Sequence, residues 1–465
     1  MKKVIFTLNK SAVTCLLALS ALYTTNIKAQ SLEQAVAQAL DSHPQIRQAF
    51  ARFKSKEEDV NRARANYLPT IDLTAGYGYE YTDYPGNRRS AGNHDDGKTE
   101  LQRGEFGISL RQMIFDGLFS ANEVDRTLYE ASAEQWTLMS TAEDLALEVS
   151  KVYLNYLKTR ELVTLAEKNI ASHQEIHGQI KERTDSGLGS IADLSQASGR
   201  LARAQSNLIA ARNNALDAKT QYLRLTNTPP KDLVRPVPDA EMLPKNSNSG
   251  LTLAIARHPV IKSAQQDINA ARSFKQTVKA NYYPTLSFEL SANADNDIGG
   301  EKGFSSDDGG HRNDVTAMLR LRYNLFSGGK DSAQERSAAY KVSEAQEINY
   351  SAHRQVTESF GLAWNAFEML ARQKKYIKQH IIASKETQLT YKEQFSLGQR
   401  SLLDLLDTEN ELFQARQDYL EADFDELSAR YRLLNVTGQL LDSLRVTRSV
   451  TWQGEHNYTQ GANNE

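Results

Sequence analysis

Ala65-Asn66-Tyr67-Leu68-Pro69-Thr70, ANYLPT, returns 215 positions later as Ala280-Asn281-Tyr282-Tyr283-Pro284-Thr285, ANYYPT. His43-Pro44 and His258-Pro259 stand at the same offset. Ile114-Phe115-Asp116-Gly117 pairs with Leu325-Phe326-Ser327-Gly328 at an offset of 211, and Gly187…Asp193-Leu194 pairs with Gly398…Asp404-Leu405, again at 211. The stretch between the two sets of markers is therefore four residues shorter in the second copy. The chain divides into a first repeat at 30–225, a linker at 226–250, a second repeat at 251–446 and a polar tail at 447–465. The linker, TNTPPKDLVRPVPDAEMLPKNSNSG, holds five prolines and reads as an extended strap over the surface.

The six-residue word is a junction. Before it, IRQAFARFKSKEEDVNRARANY and IKSAQQDINAARSFKQTVKANY have helical spacing. A proline disfavours helix in the residue before it, so Pro69 and Pro284 mark the exit from helix. After it the period falls to two. Ile71, Leu73, Ala75, Tyr77, Tyr79 and Tyr81 share one face, with Asp72, Thr74, Gly76, Gly78 and Glu80 on the other. In the second copy Leu286, Phe288, Leu290 and Ala292 alternate with Ser287, Glu289 and Ser291. FGISLRQMIF and AMLRLRYNLF read as return strands, giving β-hairpins at about 70–115 and 285–326 joined by polar, glycine-rich loops.

Strands of about 10 residues, apolar on one face and charged on the other, suit a membrane barrel with its polar face to water. Tyrosines near the strand ends suit the interface. A soluble sheet resting on a core is the competing reading, but the arginines and acids of the polar face call for water, and no other segment reads as strand to form a second sheet. Four strands cannot close: small barrels need about eight, and an open edge in lipid leaves backbone groups unpaired at several kcal/mol each. The barrel must be shared between chains, and three chains give twelve strands. Two would also close one, with little room for a channel.

From Ser120 to Asp185 there is no proline and one glycine, Gly178, and apolar residues recur at helical spacing from Val124 to Ile170. The second copy does the same from about Asp331 to Leu397. Each run of about 65 residues would reach ~100 Å at about 1.5 Å per residue, in a coiled-coil manner. Gly187 and Gly398 break the runs as turn tips, and a returning helix follows each, giving long helix pairs at about 120–226 and 331–440. The fold class is thus mainly α with a membrane β-barrel portion.

The chain opens MKKVIFTLNKSAVTCLLALSALYTTNIKAQ, a basic start, a short apolar run and a small-residue cleavage site: a secretory signal peptide at 1–29. The only cysteine, Cys15, lies inside it behind Thr14, which is a poor lipid-attachment setting. The remaining chain has no thiol for a disulfide or metal site. The segment carries four lysines and no acid, so its removal takes the formal charge from −3 to −7, which argues against nucleic acid as partner.

HP…ANYLPT, HP…ANYYPT, IFDG, LFSG and FSLGQRSLLDLLDTENELFQARQ (395–417) together resemble the TolC family of outer-membrane channels, from about Leu32 to Leu441. The resemblance implies a homotrimer in the outer-membrane lipid, a twelve-stranded barrel continued by a twelve-helix tube across the periplasm, a periplasmic adaptor protein, and an inner-membrane ABC transporter or proton-driven pump as partners. It implies no catalysis and no cofactor. It maps a gate onto this chain: Asp404 and Asp407 as a selectivity ring, Arg400 and Asp193 as a lock pair, and Phe395 at a lock position where the family's best-known channel has tyrosine, so that the hydroxyl is missing and the gate is expected to be weaker. Asp404 and Asp407 lie three apart on one helix face, and six such carboxylates around an opening would attract cations.

Polypeptide export through a type I system is favoured slightly over small-molecule efflux, on the missing lipid anchor. A soluble periplasmic coiled-coil scaffold is the alternative from a different class. His173-Gln174-Glu175-Ile176-His177 puts two imidazoles at i, i+4, but the glutamate is one place too late for HExxH and no third ligand is evident, so no metal is expected. His43 and His258 read as turn or packing residues. No phosphate loop, Ser/His/Asp set or paired-carboxylate cleft stands out.

Overall fold

The computed structural model describes residues 29–83, 98–297 and 311–455. The signal segment up to residue 28, the centres of both interstrand loops with the Gly299-Gly300 and Gly309-Gly310 pairs, and the end of the tail lie outside the described residues.

Each repeat opens on two helices. In the first, α1 (Leu32–Ser42) starts in a capping box between Ser31 and Gln34, and α2 (Pro44–Arg64) follows at once. The His-Pro pair explains the break. Proline fills a first-turn position whose N–H would be unsatisfied, and the His43 Nδ1 accepts from the Gln45 N–H at 3.4 Å. The junction word then makes one 3₁₀ turn, Ala65–Tyr67, and Leu68 is extended at ψ 153°, as a residue before proline prefers.

Strands β1 (Thr70–Asp83) and β2 (Lys98–Phe115) follow, then helices α3 (Phe119–Asp185) and α4 (Ile191–Thr226). The second repeat gives α5 (Ser247–Arg257), α6 (Pro259–Lys279), β3 (Thr285–Asp297), β4 (His311–Arg322), α7 (Lys330–Ser396) and α8 (Leu402–Val436). His258 caps α6 as His43 caps α2, with its Nδ1 3.3 Å from the Val260 nitrogen.

The strands form one antiparallel sheet in the order β1-β2-β3-β4, so β2 and β3 join the repeats and β1 and β4 are left as edges. Its register keeps the two faces apart. Ile71, Leu110, Leu290 and Ala317 make one apolar row and Leu73, Ile108, Ala292 and Val315 the next. On the other face Asp72, Ser109, Ser291 and Thr316 lie in line. Tyr77, Leu73 and Leu319 are exposed by 75%, 64% and 68%, so no core among the described residues covers the apolar face. β1 and β2 run to 14 and 18 residues, past the ten expected. β4 ends at Arg322, short of the expected 326, because the Asn324 side chain accepts from the Phe326 N–H at 3.3 Å and turns the chain.

Helices α3 and α7 are 67 residues each, ~100 Å long. α3 packs along α4, α6, α2 and α8, and Leu138, Leu145, Val149, Tyr153, Phe53 and Tyr431 are buried at this crossing. The linker lies across it. The Tyr153 hydroxyl lies 2.8 Å from the Gln30 carbonyl and 2.6 Å from the Val234 carbonyl, its one proton shared between them, and Arg235 pairs with Asp423.

The chain beyond Val436, with the first part of the polar tail expected at 447–465, packs against the helices as far as Glu455. A short helix α9 (Leu440–Ser443) puts its N–H groups on the buried Glu143 carboxylate. Trp452 is buried, and the Gln135 amide donates to the Trp452 and Gln453 carbonyls at 2.7 and 3.0 Å.

Candidate gate at the helix-hairpin tips

Both helical hairpins turn in the same way. Gly187 (φ +72°) ends α3 with its own N–H on the Thr184 carbonyl, while the Leu188 N–H reaches back to Arg183. Gly398 (φ +75°) ends α7 through the Phe395 and Gln394 carbonyls. These paired bonds satisfy the last carbonyls of each helix, and the left-handed residue they need is one that glycine adopts without strain. Ser190 and Ser401 then cap α4 and α8 through their hydroxyls.

Below the tips the two hairpins share a small core of Ile176, Ile180, Ala197, Phe395, Leu405 and Leu406. Around it run three polar contacts that cross from one hairpin to the other. Arg200 on α4 donates to Asp407 on α8 at 2.8 Å. Lys392 on α7 meets Glu175 on α3 at 2.9 Å. The Arg183 guanidinium lies 4.9 Å from the centre of the Phe395 ring.

The site expected from sequence is rearranged. Asp404 and Asp407 do lie on one side of the first turns of α8, but neither is a free carboxylate. Asp404 completes a capping box with Ser401 and stands 3.8 Å from Arg400, and Asp407 is bridged to Arg200. Arg400 stacks on Tyr391 at 4.3 Å and donates to Gln394 at 3.0 Å. Within one chain Arg400 is not brought to Asp193, which sits in the first turn of α4 and takes no ion-pair partner among the described residues. Phe395 is buried, and its ring face meets a cation in place of a hydroxyl contact. Pro69 and Pro284 lie at the far end of the helices, where the 3₁₀ turns pass into strands. Sequence reasoning missed Arg200, Glu175, Lys392 and Arg183. Arg200 lies 207 positions from its partner, and a single arginine on a polar helix carries no local signal.

His173 and His177 do not converge. His173 is buried and its pKa is pushed below the ordinary histidine value, first by burial and then by Arg200, while the His177 Nε2 lies 3.1 Å from the Ser198 hydroxyl. Among the described residues no group of three His, Cys, Asp or Glu side chains is placed to hold a metal ion.

A four-stranded antiparallel sheet joined to two ~100 Å helices is a fold shared with known proteins. The chain matches the family described as outer membrane efflux protein over residues 35–228 and 250–439. It belongs to that family. Outer membrane efflux protein BepC of Brucella suis is 25% identical over 98% of this chain and 96% of its own length. Outer membrane protein TolC of Escherichia coli is 24% identical over 89% and 83%. A membrane protein of Pseudomonas aeruginosa of known crystal structure superposes with a TM-score of 0.76 at 18% identity, covering 90% of this chain and 92% of that one. Relatives named for different cargoes stand equally near. The alkaline protease secretion protein AprF of P. aeruginosa is 22% identical over 86% of this chain and 83% of its own. The solvent efflux pump outer membrane protein SrpC of Pseudomonas putida is 25% identical over the same shares.

Members of this outer membrane efflux family are trimeric channels, not enzymes. They work with adaptors and inner-membrane transporters in tripartite systems. The protein is thus an outer-membrane channel reaching into the periplasm. Three four-stranded sheets close one twelve-stranded barrel, which answers the unpaired edges of β1 and β4.

Proposed function

We propose that this channel is a passive exit duct for polypeptides in a type I secretion system, shut at its periplasmic end by the contacts that pin its two helical hairpins together. The Arg200–Asp407 bridge is the observation that carries the gate. It is the shortest ion pair between the hairpins near the tips, and any widening that separates α4 from α8 breaks it. Lys392–Glu175 and Arg183–Phe395 act beside it. Each half-exposed pair is worth only ~0–1 kcal/mol, so closure depends on several per chain repeated three times. A sum of small terms suits a gate that an adaptor must open and release. Asp404, Asp407 and Arg400 stand at the opening, where carboxylates not fully offset by arginine favour cations.

The gate is tested by conductance of the purified trimer in planar bilayers. Arg200→Ala with Lys392→Ala should raise the closed-state conductance several-fold. Wild-type conductance in the double variant would remove these contacts from the gate. For the ring, Asp404→Ala with Asp407→Ala should lower cation preference, and unchanged selectivity would reject it.

The polypeptide cargo is supported by the secretion relative AprF and by the absence of a lipid-attachment setting at Cys15. Small-molecule efflux is the second reading, favoured by SrpC. Deleting the gene separates them: a missing extracellular polypeptide with unchanged solvent and drug tolerance supports secretion, and the reverse supports efflux.

A further inference from the structure

The foot of the sheet carries a charge pattern that a gate at the other end does not use. Arg111 on β2 stands opposite Thr70, and Arg322 on β4 stands opposite Thr285. They are the same position of the repeated hairpin, 211 residues apart, and each backbone carbonyl accepts from its threonine hydroxyl at 3.4 Å. Arg320 lies two residues above Arg322 on the same polar face. One carboxylate serves two of these cations: Glu289 accepts from Arg320 at 2.7 Å and lies 3.8 Å from Arg111. Arg322 is exposed and has no carboxylate partner among the described residues. Asp72 is the other acid on this face near the foot. Higher up the balance reverses, with Glu80, Glu105, Asp295 and Asp314 against Arg103 and Arg312.

Below the arginines lies a cavity of about 710 Å³ lined by Arg111, Arg322, Lys330, Asp116 and Asp331. Both acids are committed to helix starts. Asp116 accepts from the Ser120 N–H at 2.9 Å and from its hydroxyl, and Asp331 accepts from the Ser327 hydroxyl. Lys330, like Arg322, has no acidic partner among the described residues.

We propose that the foot of the barrel is an anion-binding collar: in the trimer, Arg111 and Arg322 from three chains make a ring of six guanidinium groups that takes oxyanions, phosphate- or carboxylate-bearing, where the helical tube passes into the barrel. The apolar face of the sheet must meet lipid, which turns the arginines to the lumen. The repeat also speaks to the edge. At the offset of 215, Thr74 takes the place of Glu289, so the β1 edge offered to a neighbouring copy has a hydroxyl on the rung where β3 has a carboxylate. Asp72, two positions away, is the nearest acid on that edge. Guanidinium binds both oxyanions in bidentate fashion. In a water-filled lumen such sites are weak enough to release what they hold, as a transit site requires.

The test is block of the potassium chloride current through the full trimer by inorganic phosphate, and in a separate arm by a polyglutamate peptide. Both are added on the extracellular side, so that the closed tip is not in their path. Arg111→Gln with Arg322→Gln should raise the half-blocking concentration roughly tenfold. Thr74→Glu, which leaves both arginines in place but sets a carboxylate against Arg322, should shift it in the same direction by a smaller factor. Weakening in the phosphate arm alone assigns the collar to phosphate-bearing solutes, and in the peptide arm alone to carboxylates. Equal block in wild type and the double variant, or no block of wild type by either probe, overturns the proposal whatever the state of the gate.

Discussion

Helices α3 and α7 have equal length and the same place in the repeat, yet they meet different surroundings. α3 buries Leu138, Leu145, Ala146, Val149 and Tyr153 beneath neighbours from both repeats, the linker and the C-terminal strap. α7 leaves Tyr340, Tyr350, Leu362, Met369, Tyr376 and Leu389 in the open. Duplication copies an element but not its neighbours. In one chain α3 lies between two hairpins while α7 lies at an end, so the apolar residues of α7 need what only another copy supplies. The same asymmetry governs the sheet, where β2 and β3 are paired on both sides and β1 and β4 on one.

The largest expected effect breaks this comparison at its buried side. Tyr153→Ala opens a cavity in the crossing and removes the donor that ties Gln30 and Val234 to α3. It should cost ~3–5 kcal/mol, read as a marked fall in the unfolding temperature of the detergent-solubilised protein. Tyr376→Ala on α7 should instead spare the fold of each chain and lower the temperature at which the trimer dissociates. If Tyr376→Ala leaves dissociation unchanged, α7 is not the face that meets the neighbouring copy.

Much of this was legible in sequence because the signals are periodic or duplicated: two junction words, a switch from helical spacing to alternation, two glycine-ended helices. The facing of each strand followed from the alternation, since a slip of one residue would put Asp72 and Glu289 on the lipid side, whereas the registers, which two-residue slips would leave equally alternating, came from the structure. What escaped depends on contacts between distant residues. Trp452 sits in a polar stretch with no periodicity, and only the fold shows that Gln135 holds the backbone beside it. Asp404 and Asp407 were named through the family resemblance, but Arg200 was not, because it lies 207 positions from Asp407 and nothing local marks the pairing.

The next effect sharpens the difference by pH. Glu143 on α3 is buried against α9, and burial pushes its pKa up to about 7, despite the opposing charge of Arg448 and the N–H groups of Leu441 and Leu440. The folded state therefore holds this proton more tightly than the unfolded state. Between the ordinary value, near 4.5, and about 7 the folded protein binds more protons, so stability falls as pH rises through that window. The change is on the order of 3–4 kcal/mol, at ~1.4 kcal/mol for each tenfold in proton affinity. Glu143→Gln should flatten that part of the stability–pH profile. An unaltered slope in the variant would mean that Glu143 is not the titrating group. α7 has no such buried acid in contact with the strap, so this pH sensitivity belongs to the α3 side.

The smallest effect lies at the tips, where the comparison narrows to a single contact between α3 and α7. Phe395 lacks the hydroxyl expected of a lock residue, which would make the gate weaker if nothing replaced it. Its ring instead faces the Arg183 guanidinium and packs on Ile176 and Ile180. A cation–π contact at such a site is worth about 0.5–1 kcal/mol, close to the worth of one of the exposed ion pairs beside it. Phe395→Leu keeps most of the apolar packing and removes the ring face, so closed-state conductance should rise by a few-fold at most, less than for Arg200→Ala with Lys392→Ala. Arg183→Gln should match it, and the two changes together should add little to either alone, since both remove one interaction. Full additivity in that double-mutant cycle would show that ring and guanidinium act separately, and would return Phe395 to the role of a weakened lock.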